Sequence, residues 1–161
     1  MLVKSLFLKD FRNYKQTSIH FSPKLNSILG QNAQGKTNLL EAIYLLITGR
    51  SFRTPHLEEL IRFGANSFYL EALFEKNGIE QTLKFSFDGN GRKIIHNSTL
   101  LPALSSLIGI LHGVVLSPED RHLIKGAPQV RRQFLDLLIA QSNPLYLHHL
   151  CRYTKAKKQR N

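Results

Sequence analysis

The sequence predicts an α/β fold in which a strand, loop and helix precede an antiparallel meander and the start of a helical lobe. Three observations carry this. A short apolar run ends at a glycine-bearing loop and gives way to apolar residues at helical spacing over residues 25–49. Three strand-like segments separated by turn-forming residues fill 67–101. Beyond residue 117 the apolar residues recur with a period near 3.6, with prolines where helices begin. The expected division is 1–116 for the first lobe and 117–161 for the helical one.

In Leu2–Phe11 apolar residues alternate, Val3 and Phe7 on one side and Leu6 and Leu8 on the other, which predicts a strand buried on both faces. Ser22-Pro23 marks a turn, and Leu25–Leu29 reads as a second strand ending at Gly30. From Thr37 onward Leu39, Leu40, Ile43, Leu46 and Ile47 predict a helix that Gly49 stops. Tyr69–Phe74, Gln81–Phe87 and Arg92–His96 read as strands. Asn77-Gly78 splits the first two, and Asp88-Gly89-Asn90-Gly91 turns the chain before the third, because Asn and Gly tolerate positive φ. Ile110–Leu116 is a further buried strand candidate. Pro128 opens a helix with Val130, Phe134, Leu137 and Leu138 on one face, and Asn143-Pro144 opens another with Leu147, Leu150 and Cys151 inward.

The 161 residues, 42% of them hydrophobic, suffice for a core and exclude a disordered basic tail. One cysteine excludes a disulfide-stapled secreted scaffold and fits a reducing, cytoplasmic setting. Charges interrupt the N-terminus too often for a signal-peptide core. The apolar stretch Leu100–Leu116 falls short of the roughly 20 residues that span a bilayer, so no membrane partner is expected. The net charge of +11 is uneven: residues 1–120 carry 13 basic and 10 acidic side chains, whereas 121–161 carry 9 basic residues against Asp136 alone. Such an excess suits a polyanion, most directly nucleic acid, or equally a solvated helix face.

Gly30-Gln31-Asn32-Ala33-Gln34-Gly35-Lys36-Thr37 matches G-x-x-x-x-G-K-[ST] at every fixed position. Glycines let such a loop wrap until successive backbone N–H groups point at phosphate oxygens. Lys36 adds a point charge, Thr37 offers a hydroxyl to Mg²⁺, and the following helix aims its positive end at the same spot. The motif therefore predicts a nucleoside triphosphate with Mg²⁺ bound by Gly30, Gln31, Asn32, Ala33, Gln34, Gly35, Lys36 and Thr37. The loop alone does not say which nucleotide. No Asn-Lys-x-Asp motif for reading guanine is present. Val114-Val115-Leu116 is followed by Ser117 and Pro118 before Glu119 and Asp120, so those acids do not end the strand as a Mg²⁺-holding Walker B carboxylate does. Capping the next segment is the favoured role for Glu119 and Asp120.

A family resemblance enters with the flanking motifs. Leu8-Lys9-Asp10-Phe11-Arg12-Asn13-Tyr14, and a loop continuing Gly35-Lys36-Thr37-Asn38-Leu39-Leu40-Glu41-Ala42-Ile43-Tyr44, resemble the opening of the SMC and DNA-repair branch of ABC-type ATPases. Within that branch Gly49-Arg50-Ser51-Phe52-Arg53-Thr54, and the stretch from Ser117-Pro118-Glu119-Asp120 through Arg131-Arg132-Gln133-Phe134-Leu135-Asp136, resemble the RecF family. The resemblance implies a P-loop NTPase fold of the ABC-ATPase head type, with ATP as the nucleotide at Gly30 through Thr37. It implies ATP-dependent binding of single-stranded or gapped DNA in recombinational repair, replication and the SOS response, with RecO- and RecR-type mediators as partners and an ATP-dependent homodimer. It implies a nucleotide contact for Arg12, which by its residues alone reads equally as a surface arginine in a turn. Arg131 and Arg132 are candidate DNA contacts, or one of them pairs with Asp136.

Family members are about twice this length by domain-size reckoning, and their Walker B strand, signature motif and catalytic acid lie in the other half. The expectation is half of a larger head, interrupted within a helix at Asn161, that binds ATP with negligible hydrolysis. The alternative is a basic DNA-binding module whose loop is vestigial, and a stand-alone P-loop kinase is disfavoured for want of a lid. His148, His149 and Cys151 are expected to be structural or surface residues rather than metal ligands, because neighbours on a helix diverge.

Overall fold

The computed structural model describes residues 1–116 and 125–160. It separates into two compact units, Met1–Leu107 and Ile108–Asn161.

The first unit is a six-stranded antiparallel sheet in the order β2-β1-β3-β4-β5-β6, with one helix laid against it. Its strands are β1 (Leu2–Phe11), β2 (Tyr14–His20), β3 (Phe68–Lys76), β4 (Ile79–Phe87), β5 (Arg92–His96) and β6 (Thr99–Leu100). The helix, α1 (Lys36–Thr48), packs on β1, β3 and β4. The period-two pattern sets which face is buried: Phe68, Leu70, Ala72 and Phe74 of β3 and Leu83, Phe85 and Phe87 of β4 point toward the helix. There they meet Leu39, Ala42, Leu45 and Leu46 of α1 in one apolar core. Phe11, Phe68 and Phe85 continue it as a row of ring contacts 5.3 and 6.0 Å between centroids.

Asn77 and Gly78, at φ 54° and 77°, make the tight β3–β4 turn. Asp88 Oδ1 accepts the N–H groups of Asn90 and Gly91 to close the β4–β5 turn. Gly49 ends α1 in the left-handed region, its N–H on Leu45 O at 2.7 Å.

In this unit three features depart from the sequence expectation. β1 is buried on one face: Leu6 and Leu8 are inaccessible, whereas Val3 and Phe7 are half-covered, because the helix lies on one side of the sheet. β2 follows β1 directly as an edge strand, in register Phe11↔Tyr14 to Ser5↔His20. Leu25–Leu29 forms no strand. A strand needs a neighbouring edge, and among the described residues none pairs with this segment, so Leu25 and Leu29 are 82% and 90% exposed. The stretch begins in a local turn in which Asn26 Oδ1 accepts Ser22 N–H and Asn26 Nδ2 donates to Ser22 O.

The second unit holds α2 (Pro128–Ser142) and α3 (Pro144–Arg160), packed on each other. Asn143 Oδ1 accepts the N–H groups of Leu145 and Tyr146 and so caps α3. Tyr146 donates its hydroxyl to Asp136. Ile110–Leu116 is likewise not a strand. A single bridge, Ile108↔Leu111, is formed, and Gly113 N–H donates to Oε1 of buried Gln141. Cys151 is exposed rather than inward: Leu147 and Leu150 are half-covered, but from Cys151 to Arg160 every side chain of α3 faces solvent.

Candidate nucleotide-binding site

Residues 30–34 form an exposed loop that runs through buried Gly35 into the first turn of α1. Among the described residues, the backbone N–H groups of 31–33 and 35–37 donate to no protein group, and they lie beside the positive end of a 13-residue helix. Lys36 Nζ folds back over the loop and donates to Gly30 O and Gln31 O, each at 2.7 Å. Thr37 is exposed at the second position of the helix.

The loop is held by the turn joining β1 to β2. Asp10 and Arg12 both have left-handed φ, 50° and 53°, a conformation non-glycine residues adopt only when their surroundings fix it. Here Arg12 N–H donates to Leu60 O and Arg62 N–H to Asp10 O, with an Arg62–Asp10 ion pair at 2.8 Å beside them. The twist delivers the next two side chains to the loop. Asn13 Nδ2 donates to Gln34 O at 3.1 Å, Tyr14 hydroxyl to Gly35 O at 3.1 Å, and Asn38 Nδ2 to Asn13 Oδ1 at 2.8 Å. A Cβ on Gly35 would stand 2.6 Å from Asn13 Oδ1, and Gly35 has φ 101°. Glycine is required at this position by close approach and by backbone angle together.

Glu41 lies one turn further along α1, fully buried. Arg12 grips it with Nε on Oε2 at 2.9 Å and Nη2 on Oε1 at 2.7 Å, while Arg12 Nη1 donates to Glu59 O at 3.0 Å. Ser51 hydroxyl donates to the same carboxylate, and Arg53 Nη1 approaches it at 3.5 Å while donating to Asn38 Oδ1 at 2.8 Å. Burial alone would raise the Glu41 pKa. The hydrogen bonds from Arg12 and Ser51 and the charges of Arg12 and Arg53 outweigh it, and the carboxyl is held below the ordinary range. A shallow cleft of about 580 Å³ opens here, lined by Arg12, Asn13, Asn38, Arg53, Glu59, Ile61, Arg62 and Phe63.

Three separated motifs, 11–14, 30–41 and 49–54, thus meet in one polar network. The structure brings Arg12 to the loop by way of Asn13, and commits most of its guanidinium to Glu41 and Glu59. The ion-paired role of Glu41 was not anticipated. Its signal was a lone acid among Leu39, Leu40, Ala42 and Ile43, a charge set into an otherwise apolar run.

Arg131 and Arg132 are exposed in the first turns of α2. Arg131 donates to Gly126 O at 3.0 Å, and Asp136 accepts Tyr146. Ser117, Pro118, Glu119, Asp120 and Arg121 lie outside the described residues. The His148 and His149 rings are 5.6 Å apart, and among the described residues no group of three His, Cys, Asp or Glu side chains is placed to hold a metal. No helix among them is long and apolar enough to cross a membrane.

Comparison with known proteins fits this geometry. The family model described as AAA domain matches residues 5–142. The DNA replication and repair protein RecF of Protochlamydia amoebophila is 58% identical over all 161 residues of this chain, which cover 45% of that protein. The chain thus spans a little under half the length of this relative. A solved structure of the recombination mediator protein RecF with ATP, in the RecFOR pathway, superposes with a TM-score of 0.91 at 37% identity, over 99% of this chain and 43% of that one. A likeness of fold alone, TM-score 0.70 at 24% identity, links it to an SMC ATPase over 86% of this chain and 99% of that one. The chain therefore belongs to the AAA-domain family, within which its sequence and its fold align it with RecF.

Proposed function

We propose that this chain supplies the nucleotide-binding lobe of a RecF-type protein, with ATP·Mg²⁺ held by Gly30–Thr37. The observation that carries the reading is the glycine-bearing loop whose N–H groups at 31–33 and 35–37 are unengaged among the described residues, at the head of α1 and braced by Asn13 and Tyr14. In this reading the amides of Gln31, Asn32, Ala33, Gln34 and Gly35 take phosphate oxygens. Lys36 exchanges its two carbonyl partners for phosphate, and Thr37 offers its hydroxyl to Mg²⁺. Bound Mg²⁺ would neutralise charge shared between phosphates. Arg12, Asn13 and Asn38 line a cleft that adjoins the loop through Asn13, and Arg12 has N–H groups left to face a nucleotide there.

Residues 1–116 would form this lobe and 117–161 the start of a helical one. The named roles of the RecF relatives support recombinational repair and replication as the setting. Single-stranded or gapped DNA, mediators of RecO and RecR type, an ATP-dependent homodimer and a cytoplasmic location follow from the same kinship. Arg131 and Arg132, exposed on α2, are the proposed contacts to DNA phosphate.

The test is a titration of the purified chain with ATP·Mg²⁺, and of gapped DNA with and without ATP. Saturable ATP binding lost in Lys36→Ala, with DNA affinity that responds to ATP, is expected. Salt-sensitive DNA affinity indifferent to both ATP and Lys36→Ala would instead identify a basic module with an inert loop.

A further inference from the structure

Glu41 is the one fully buried acidic side chain among the described residues, and it is bound by two arginines from different segments, Arg12 at the end of β1 and Arg53 beyond α1. Such a buried ion network is a weak source of stability: well-packed apolar residues in place of the whole triad would do as well or better. What the carboxylate does that an apolar residue cannot is hold two like-charged guanidinium groups together on one wall of the cleft. Without it they repel, and each turns outward to water.

The hydrogen bonds fix their orientation as well as their place. Arg12 is pinned at Nε, Nη1 and Nη2, and Arg53 is held through Nη1 between Glu41 and Asn38, which itself reaches Asn13 at the loop. Both arginines line the cleft, and each keeps N–H groups that these bonds do not use. Of the lining residues three are arginines and one, Glu59, is acidic; Arg62, the third guanidinium there, is paired with Asp10, whereas Arg12 and Arg53 share the single Glu41 carboxylate. We propose that Glu41 is a positioning residue: by clamping Arg12 and Arg53 side by side it presents both guanidinium groups to the polyphosphate of the bound nucleotide. This rests on the nucleotide-site reading above.

The experiment is ATP·Mg²⁺ titration of the full 161-residue chain carrying Glu41→Gln, in the wild-type background and in one carrying Arg12→Gln and Arg53→Gln. Melting temperatures are recorded alongside. The expected result is about tenfold weaker ATP binding by Glu41→Gln in the wild-type background, in line with loss of a charge-assisted contact. No further weakening is expected when Glu41→Gln is added to the doubly substituted chain, since the groups it positions are gone. Glu41→Asp, which keeps the charge but shortens the reach, should fall between, and decides the matter in the same two backgrounds if Glu41→Gln does not fold. Wild-type affinity in Glu41→Gln overturns the proposal, as does an equal loss in both backgrounds, which marks a merely structural role. If Lys36→Ala binds ATP like the wild type, the nucleotide-site reading falls first and the proposal with it. If Lys36→Ala loses binding and Glu41→Gln does not, only the positioning role falls.

Discussion

Replacing Gly35 by alanine tests how tightly the β1–β2 turn defines the loop. The added methyl would lie 2.6 Å from Asn13 Oδ1 and 2.7 Å from Asn13 Nδ2, where contact needs well over 3 Å. Asn13 cannot simply swing aside, because it donates to Gln34 O and accepts from Asn38. Freeing it forfeits two hydrogen bonds at about 0.5–1.5 kcal/mol each. Alanine at φ 101° adds strain of about 1–3 kcal/mol. The sum, about 2–6 kcal/mol, disfavours the wild-type loop conformation relative to any relaxed one. ATP has to restore that conformation, so its affinity should fall at least about 30-fold. The melting temperature should change less, since the loop relaxes away from the strain while the sheet core stays intact. Isothermal titration with ATP·Mg²⁺ measures the first and calorimetry the second. The same substitution made in an Asn13→Ala chain should cost only the backbone share, about 1–3 kcal/mol. An equal cost in both backgrounds would refute Asn13 as the obstacle, and unchanged affinity in Gly35→Ala would refute the loop geometry itself.

Other consequences can be measured directly. Because the folded-state pKa of Glu41 is depressed, its ionisation contributes stability above the ordinary value of 4.5, and that contribution is lost as pH falls through the lower folded value. Chemical denaturation followed from pH 6 downward should show the decline, and Glu41→Gln should flatten it. Leu45→Ala removes a fully buried side chain between α1 and the sheet and should cost about 2–5 kcal/mol in urea unfolding. Asn143→Ala removes the cap of α3 and should cost about 1 kcal/mol, seen as reduced helical circular dichroism and faster amide exchange at Leu145 and Tyr146.

Much of the first unit could be read from residues alone, for physical reasons. β3 and β4 alternate strictly and are joined by Asn77-Gly78, a pair suited to positive φ, so pattern and turn agree. α1 has its apolar stripe and its Gly49 stop. β2 was missed because Tyr-Lys-Gln-Thr-Ser-Ile-His has little apolar alternation, and its strand character comes from pairing with β1. Leu25–Leu29 was misjudged for the converse reason: apolar β-formers make a strand only where an edge receives them. At the site, the loop declared itself through glycine spacing. The partnership of Glu41 with Arg12 and Arg53 spans 29 and 12 residues of sequence, and no local periodicity encodes it.

The hairpin turns of the sheet differ in what they can tolerate. Asn77-Gly78 and Asp88–Gly91 sit exposed at strand ends and serve only to reverse the chain, so an epitope tag or a fluorescent protein inserted there should leave the loop untouched. The Arg12-Asn13 turn, equally short, is where the sheet grips the loop through Asn13 and the adjoining Tyr14. A probe grafted at that third turn would report occupancy of the site only by damaging it, and a reporter for this lobe belongs at the other two.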